Sequence, residues 1–211
     1  MRRIYDITQP VRTGIPVWPG DTAYGEERVW TIDPPCPVNV SRLTLSTHTG
    51  THADAPLHYD AGGVPIGDVG LETYMGPALV LHLPSGLERV EVEHLAGRVP
   101  ADTRRVLLRT YDRFPHEAWD SRFTAMAADA IDWLAGQGIG LIGTDAPSLD
   151  PETSKTLDAH MAVRRHGMAI LEGLVLDGVP EGVFELIALP LRLSTADASP
   201  VRAVLRSIGE A

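Results

Sequence analysis

The sequence predicts a single α+β domain with a β-rich core, on three observations. The chain has 211 residues, enough to bury one sizeable core. Segments with strand patterning outnumber those with helical periodicity. Strands and helices follow one another in mixed order, without a sustained βαβ alternation. Hydrophobic residues are 44% and charged residues 22% of the chain, the ordinary balance of a soluble globular protein. No apolar run approaches the ~20 residues of a membrane helix. Arg2 and Arg3 have no apolar signal core behind them, so a cytoplasmic protein is expected. The formal net charge of −10 argues against nucleic acid and anionic membranes as partners. The lone Cys36 excludes an internal disulfide, and its proline-rich loop suits an incidental thiol better than a nucleophile.

Residues 3–8 read as a first strand. Residues 10–21 are rich in Pro and Gly, and proline restricts both itself and its predecessor, so this is a stiff, non-helical loop. It carries Trp18, which reads equally well as a stacking surface for an aromatic ligand or as a core anchor. Strands are expected at 28–32 and, as one long element, at 38–54, where Val38 to Leu45 alternate between apolar and polar. Residues 60–70 are loop, 77–83 apolar and strand-like, 90–95 a short helix and 105–110 a strand. Residues 124–137 give the clearest helix, with Thr124 as cap. Met126, Ala130, Ile131, Trp133 and Leu134 form its apolar stripe, and Gly138 ends it. A buried strand at 139–143 runs into the turn Thr144-Asp145-Ala146-Pro147-Ser148. Asp145 there suits a site residue and a capping role alike. A helix is expected at 155–165 around His160. His166 at its end suits the negative pole of a helix. Strands close the chain at 169–176, 184–193 and 201–205, with 195–200 separating the last two.

The stretch from Ser46 to Tyr59 contains H-x-G-T-H-x-D-A-P-x-H, with three of the eight histidines. In an extended strand, alternation puts His48, Gly50, His52 and Asp54 on one face. Imidazole suits zinc and related ions and carboxylate suits harder cations, so this set reads as a Zn or Mn site. Three ligands would serve one catalytic zinc with an open position. Glu172 lies in the apolar run from Met168 to Leu174, where a carboxylate is costly unless paired or bound to a cation. His58 lies beyond Pro56, which should break the strand. It is placed beside the metals as a general acid/base and not as a ligand.

With these residues the chain resembles the bacterial kynurenine formamidases, within the wider cyclase-like family of metal-dependent hydrolases. The resemblance covers nearly the whole chain. It rests on the 46–59 stretch, on Pro16-Val17-Trp18-Pro19-Gly20-Asp21, on 143–148, on His160 and on Ile170-Leu171-Glu172-Gly173. It implies a compact β-barrel-like core with flanking helices, of the swivelling β/β/α type, spanning residues 1–211. It implies two zinc ions per subunit, with Mn as the alternative. His48, His52 and Asp54 would hold the first ion and Asp54, His160 and Glu172 the second, with Asp54 and Glu172 bridging. It also implies a substrate contact at Trp18, a homodimer, and hydrolysis of N-formyl-L-kynurenine to L-kynurenine and formate. Another hydrolase of the same superfamily, such as an isatin hydrolase, is the near alternative. A non-catalytic protein with a structural zinc is the distant one, and a chain with one cysteine lacks the usual ligands for it.

Overall fold

Extended apolar segments become strands where neighbours take up their backbone hydrogen bonds. The computed structural model, which describes residues 2–209, shows where this happens. β1 (Ile4–Asp6) leads through a long loop to β2 (Gly25–Trp30) and β3 (Val40–Thr44), then β4 (His52–Asp54) and the one-turn helix α1 (Pro56–Tyr59). The middle of the chain is β5 (Met75–His82), β6 (Arg89–Val90), α2 (Val92–Leu95), β7 (Arg105–Arg109), β8 (Ala125–Met126), α3 (Ala128–Gly136), β9 (Leu141–Thr144), α4 (Asp158–His166) and β10 (Ala169–Glu172). β11 (Gly182–Ile187), β12 (Ala198–Pro200) and β13 (Val204–Ser207) complete it.

Nine strands form one sheet, ordered β1-β13-β11-β5-β7-β9-β10-β4-β12, curled into a half-barrel. The α+β expectation therefore holds. The centre, β5-β7-β9-β10, is parallel, with α2, α3 and α4 in its crossovers. This is local βαβ character that the mixed-order reading did not resolve. Parallel strands of this kind are buried on both faces. Leu79, Leu81, Val106, Leu108, Ile142 and Ile170 pack on the helix side, while Ala78, Val80, Leu107, Leu141 and Leu171 fill the other. α3 and α4 cover the helix side with Ala130, Ile131, Leu134, Ala159, Ala162 and Val163, all fully buried. Burying each larger aliphatic side chain contributes roughly 1.5–3 kcal/mol. No helix among the described residues is long and apolar enough to cross a membrane.

Three sequence expectations are corrected. The long strand at 38–54 is two strands, because Thr49 N–H donates to Ser46 O at 3.1 Å and closes a turn between them. Gly50 then takes a left-handed φ of 68°. The helix expected from Thr124 starts at Ala128, since Ala125–Met126 pair as β8 with β6. Thr124 Oγ1 donates to Leu87 O at 2.8 Å instead of capping. The separator at 195–200 contains β12, which pairs with β4.

Candidate metal centre

In β4 and β10, which are antiparallel, His52 lies directly opposite Glu172, and Asp54 opposite Ile170. Opposed residues share a face, and Ile170 belongs to the helix-side core. His52, Asp54 and Glu172 therefore point under α4, which brings His160 to the same place. His48 arrives differently from the expected alternation. It sits in the turn before β4, yet its Nδ1 lies 3.1 Å from Asp54 Oδ1. Gly173 (φ 62°) lets the end of β10 pass this turn closely, for a Cβ there would sit 2.7 Å from Gly50 O.

His52 Nε2 lies 3.4 Å from Asp54 Oδ1 and 3.3 Å from Glu172 Oε2. His160 Nε2 lies 3.5 Å from Asp54 Oδ2 and 3.7 Å from Glu172 Oε1. These contacts are close but misaligned, so among the described residues neither Asp54 oxygen nor His52 Nε2 has a hydrogen-bond partner, although all three atoms are buried. The opposite ring nitrogens are satisfied. His52 Nδ1–H donates to Gly50 O at 2.9 Å, and His160 Nδ1–H to Asp150 Oδ2 at 2.6 Å. Both Nε2 atoms are left as lone-pair donors facing Asp54, the arrangement that suits a metal-ligating imidazole. The ligand atoms of His48, His52 and Asp54 fall within 4.8 Å of one another, and so do those of Asp54, His58 and His160. A hard-and-borderline donor set with orphaned buried atoms fits a divalent ion.

The electrostatics agree. Burial opposes charge on His52, but Asp54 and Glu172 outweigh it and raise its pKa to about 10. His160 is raised to about 10 in the same way, burial being outweighed by Asp150 and Asp54. Burial acts to raise Asp54, and the surrounding imidazoles hold it well below the usual carboxylate range. The cluster of carboxylates calls for positive charge at its centre, from protonated imidazoles or from cations.

Asp150 is a residue the sequence reading missed. Leu157, at the N-terminus of α4, has φ 52° and no capping side chain. Asp150 replaces that cap by accepting from Ala159 N and His160 N, each at 3.0 Å. Asp197, also missed, lies 3.0 Å from His48 Nε2 and 3.3 Å from His58 Nδ1. An aspartate in a turn has no distinguishing sequence signal.

The cluster opens on a cavity of about 300 Å³. His58, exposed on α1, stands at its rim with its ring centroid 4.3 Å from that of His48. Trp18 lines the wall together with Tyr111, Phe114 and Trp119. It packs edge-on against Trp119 at 5.3 Å between centroids, so it is at once a cavity surface and a loop anchor. Asp145 lines the floor and accepts from Thr110 N, Thr110 Oγ1 and Tyr111 N. Burial pushes its pKa up to about 6 against those donors. His166 lies outside the site, paired to Asp132 of α3 at 2.8 Å.

Residues 5–151 match the family model described as "Putative cyclase". A structure described as a "potential metal-dependent hydrolase with cyclase activity" superposes with a TM-score of 0.87 at 29% identity, covering 100% of both chains. A "predicted metal-dependent hydrolase" from Bacillus stearothermophilus gives 0.85 at 30% identity, over 99% of this chain and 100% of that one. Isatin hydrolase A from Labrenzia aggregata, bound to benzyl benzoate, gives 0.80 at 25% identity, over 99% and 94%.

Proposed function

The chain belongs to the cyclase family, and from that premise we propose a metal-dependent amide hydrolase that cleaves N-formyl-L-kynurenine to L-kynurenine and formate in tryptophan degradation. The observation that carries the reading is the convergence of His52 Nε2 and both Asp54 oxygens, buried and unpartnered, at the end of an aromatic cavity. His48, His52 and Asp54 would hold one divalent ion and Asp54, His160 and Glu172 a second. Zinc is the proposed metal and manganese the alternative. Bound there, such ions supply Lewis acidity and a water acidic enough to attack a carbonyl near neutral pH.

The chain's own residues do the rest. Gly50 O and Asp150 hold His52 and His160 in the tautomers that leave Nε2 free. Asp197 accepts from His58 Nδ1, which leaves His58 Nε2 to take a proton from water and pass it to the departing aromatic amine. Trp18, Tyr111, Phe114 and Trp119 exclude water and offer faces to an aryl ring. Among the described residues the cavity lining contains Asp21 and Asp120 but no Lys or Arg. Asp21 and Asp120 could meet the ammonium of the zwitterionic amino-acid end.

The deciding assay incubates the metal-loaded protein with N-formyl-L-kynurenine and measures formate and L-kynurenine. No release at full metal occupancy overturns the reading. Ring opening of isatin is the second reading, favoured by the fold match to isatin hydrolase A, and is measured in parallel. A purely structural metal fits poorly with a cluster open to a cavity. A cytoplasmic homodimer completes the proposal. The β2–β3 hairpin supports the dimer by exposing Val29, Trp30, Ile32 and Leu43.

A further inference from the structure

Gln9 lies between β1 and the stiff 10–21 loop. Its backbone N–H donates to Thr51 Oγ1 at 2.8 Å, and Thr51 Oγ1 donates to Gly173 O at 2.6 Å. The chain neighbours of Thr51 and Gly173 are His52 and Glu172, so Gln9 is tied to both strands of the candidate metal centre. Gln9 is only 7% exposed, yet its amide atoms are not fully shut off from water. It lines the cavity beside His48, Gly50 and His52. Its Oε1 lies 3.5 Å from where a Cβ on Gly50 would be. Among the described residues its one hydrogen bond is that of the backbone N–H, and the side-chain amide has none.

A primary amide brings two donors and an acceptor. An amide that keeps an opening to the cavity can hydrogen-bond to whatever fills it, water or substrate. A glutamine kept for structure would bond to the loop it anchors. This one anchors the loop through its backbone and leaves its amide facing the cavity, where the scissile group must lie against the metal cluster.

We propose that Gln9 is a substrate-binding, specificity-determining residue whose Nε2–H donates to the formyl carbonyl oxygen. The assignment rests on the formamidase reading. It makes the formamide group itself, and not only the aryl ring, a recognised feature of the substrate.

The test is Gln9→Met in the metal-loaded enzyme, with Gln9→Ala as a second variant should the first fail to fold. Metal content and melting temperature stay at the wild-type values, because among the described residues the amide makes no hydrogen bond to the rest of the chain. kcat/KM for N-formyl-L-kynurenine falls roughly threefold to tenfold, the usual effect of one neutral hydrogen bond. The same factor appears with formanilide, which keeps the formamide and lacks the amino-acid end. An unchanged kcat/KM overturns the assignment. So does a fall confined to N-formyl-L-kynurenine, or a melting temperature that drops with the activity. Wild-type protein inactive on both formamides overturns the formamidase reading together with this assignment. Active wild type with an unaffected Gln9→Met overturns this assignment alone.

Discussion

Asp197 Oδ2 lies 3.3 Å from His58 Nδ1. The same oxygen lies 3.0 Å from His48 Nε2, while Oδ1 accepts from Thr47 Oγ1 at 2.9 Å. Burial acts to raise Asp197, and His48 and Thr47 hold it below the usual carboxylate range, so it is an anion throughout the neutral range. One carboxylate thus orients a proposed ligand and a proposed acid/base. His58→Ala should keep its metal while kcat falls roughly 10²–10⁴-fold. Asp197→Asn should lose roughly 10–100-fold through both histidines. His48→Ala and His52→Ala should lose metal and activity together. Elemental analysis beside steady-state kinetics separates the classes, and a metal-free His58→Ala would make His58 a ligand.

Asp54 faces His48, His52 and His160, whereas His160 faces only one side of the cluster. Metal content should therefore fall further in Asp54→Ala than in His160→Ala. Full occupancy in purified Asp54→Ala would refute a bridging role for Asp54.

Thorough chelation should lower the melting temperature, and zinc or manganese should restore it. The metal-free protein should also have a distinctive pH dependence. The pKa values of His52 and His160 are raised from 6.5 to about 10. Their stabilisation is complete below pH 6.5 and is lost as pH rises through about 10. Asp54 is depressed, so its contribution is present above pH 3.8 and lost on acidification. Calorimetry of chelated protein should find its highest melting temperature between these limits, with a decline toward pH 10. Metal should restore most on the alkaline side, where the ligands are deprotonated. Melting and activity both indifferent to chelation would remove the metal from the proposal.

Trp119 Nε1 donates to Glu152 Oε2 at 2.6 Å, which fixes the ring that Trp18 meets edge-on. Trp18→Ala should raise KM roughly twofold to tenfold, the worth of one aromatic pair, with little change in kcat. A fall in kcat alone would contradict stacking.

Trp30 and Ile32 are 56% and 60% exposed at the end of the two-stranded β2–β3 hairpin. Such a hairpin is marginal in water by itself. Light scattering should give the mass of two chains, and Trp30→Glu should shift it toward one. A monomeric wild type contradicts the dimer.

The local pattern from His48 to Asp54 was enough, by itself, to single out the candidate cluster. An extended strand would hold His48 and Asp54 about 20 Å apart, and it is the turn closed by Thr49 N–H and Ser46 O that brings His48 beside Asp54. Glu172 was legible for an energetic reason, since a carboxylate among Ile170, Leu171 and Leu174 needs a positive partner. The α+β class followed from counting patterned segments. The tertiary structure decided what joins residues far apart in the chain. Asp197 reaches His58 across 139 positions because β12 pairs with β4. Asp150 reaches His160 because the loop after β9 supplies the cap that α4 lacks. Gln9 reaches the cavity through Thr51. These three polar residues sit in irregular segments between helices and strands, where Asp and Gln are unremarkable. Their partners are chosen by strand register and by the need to pair buried backbone groups, and no short window of sequence contains either.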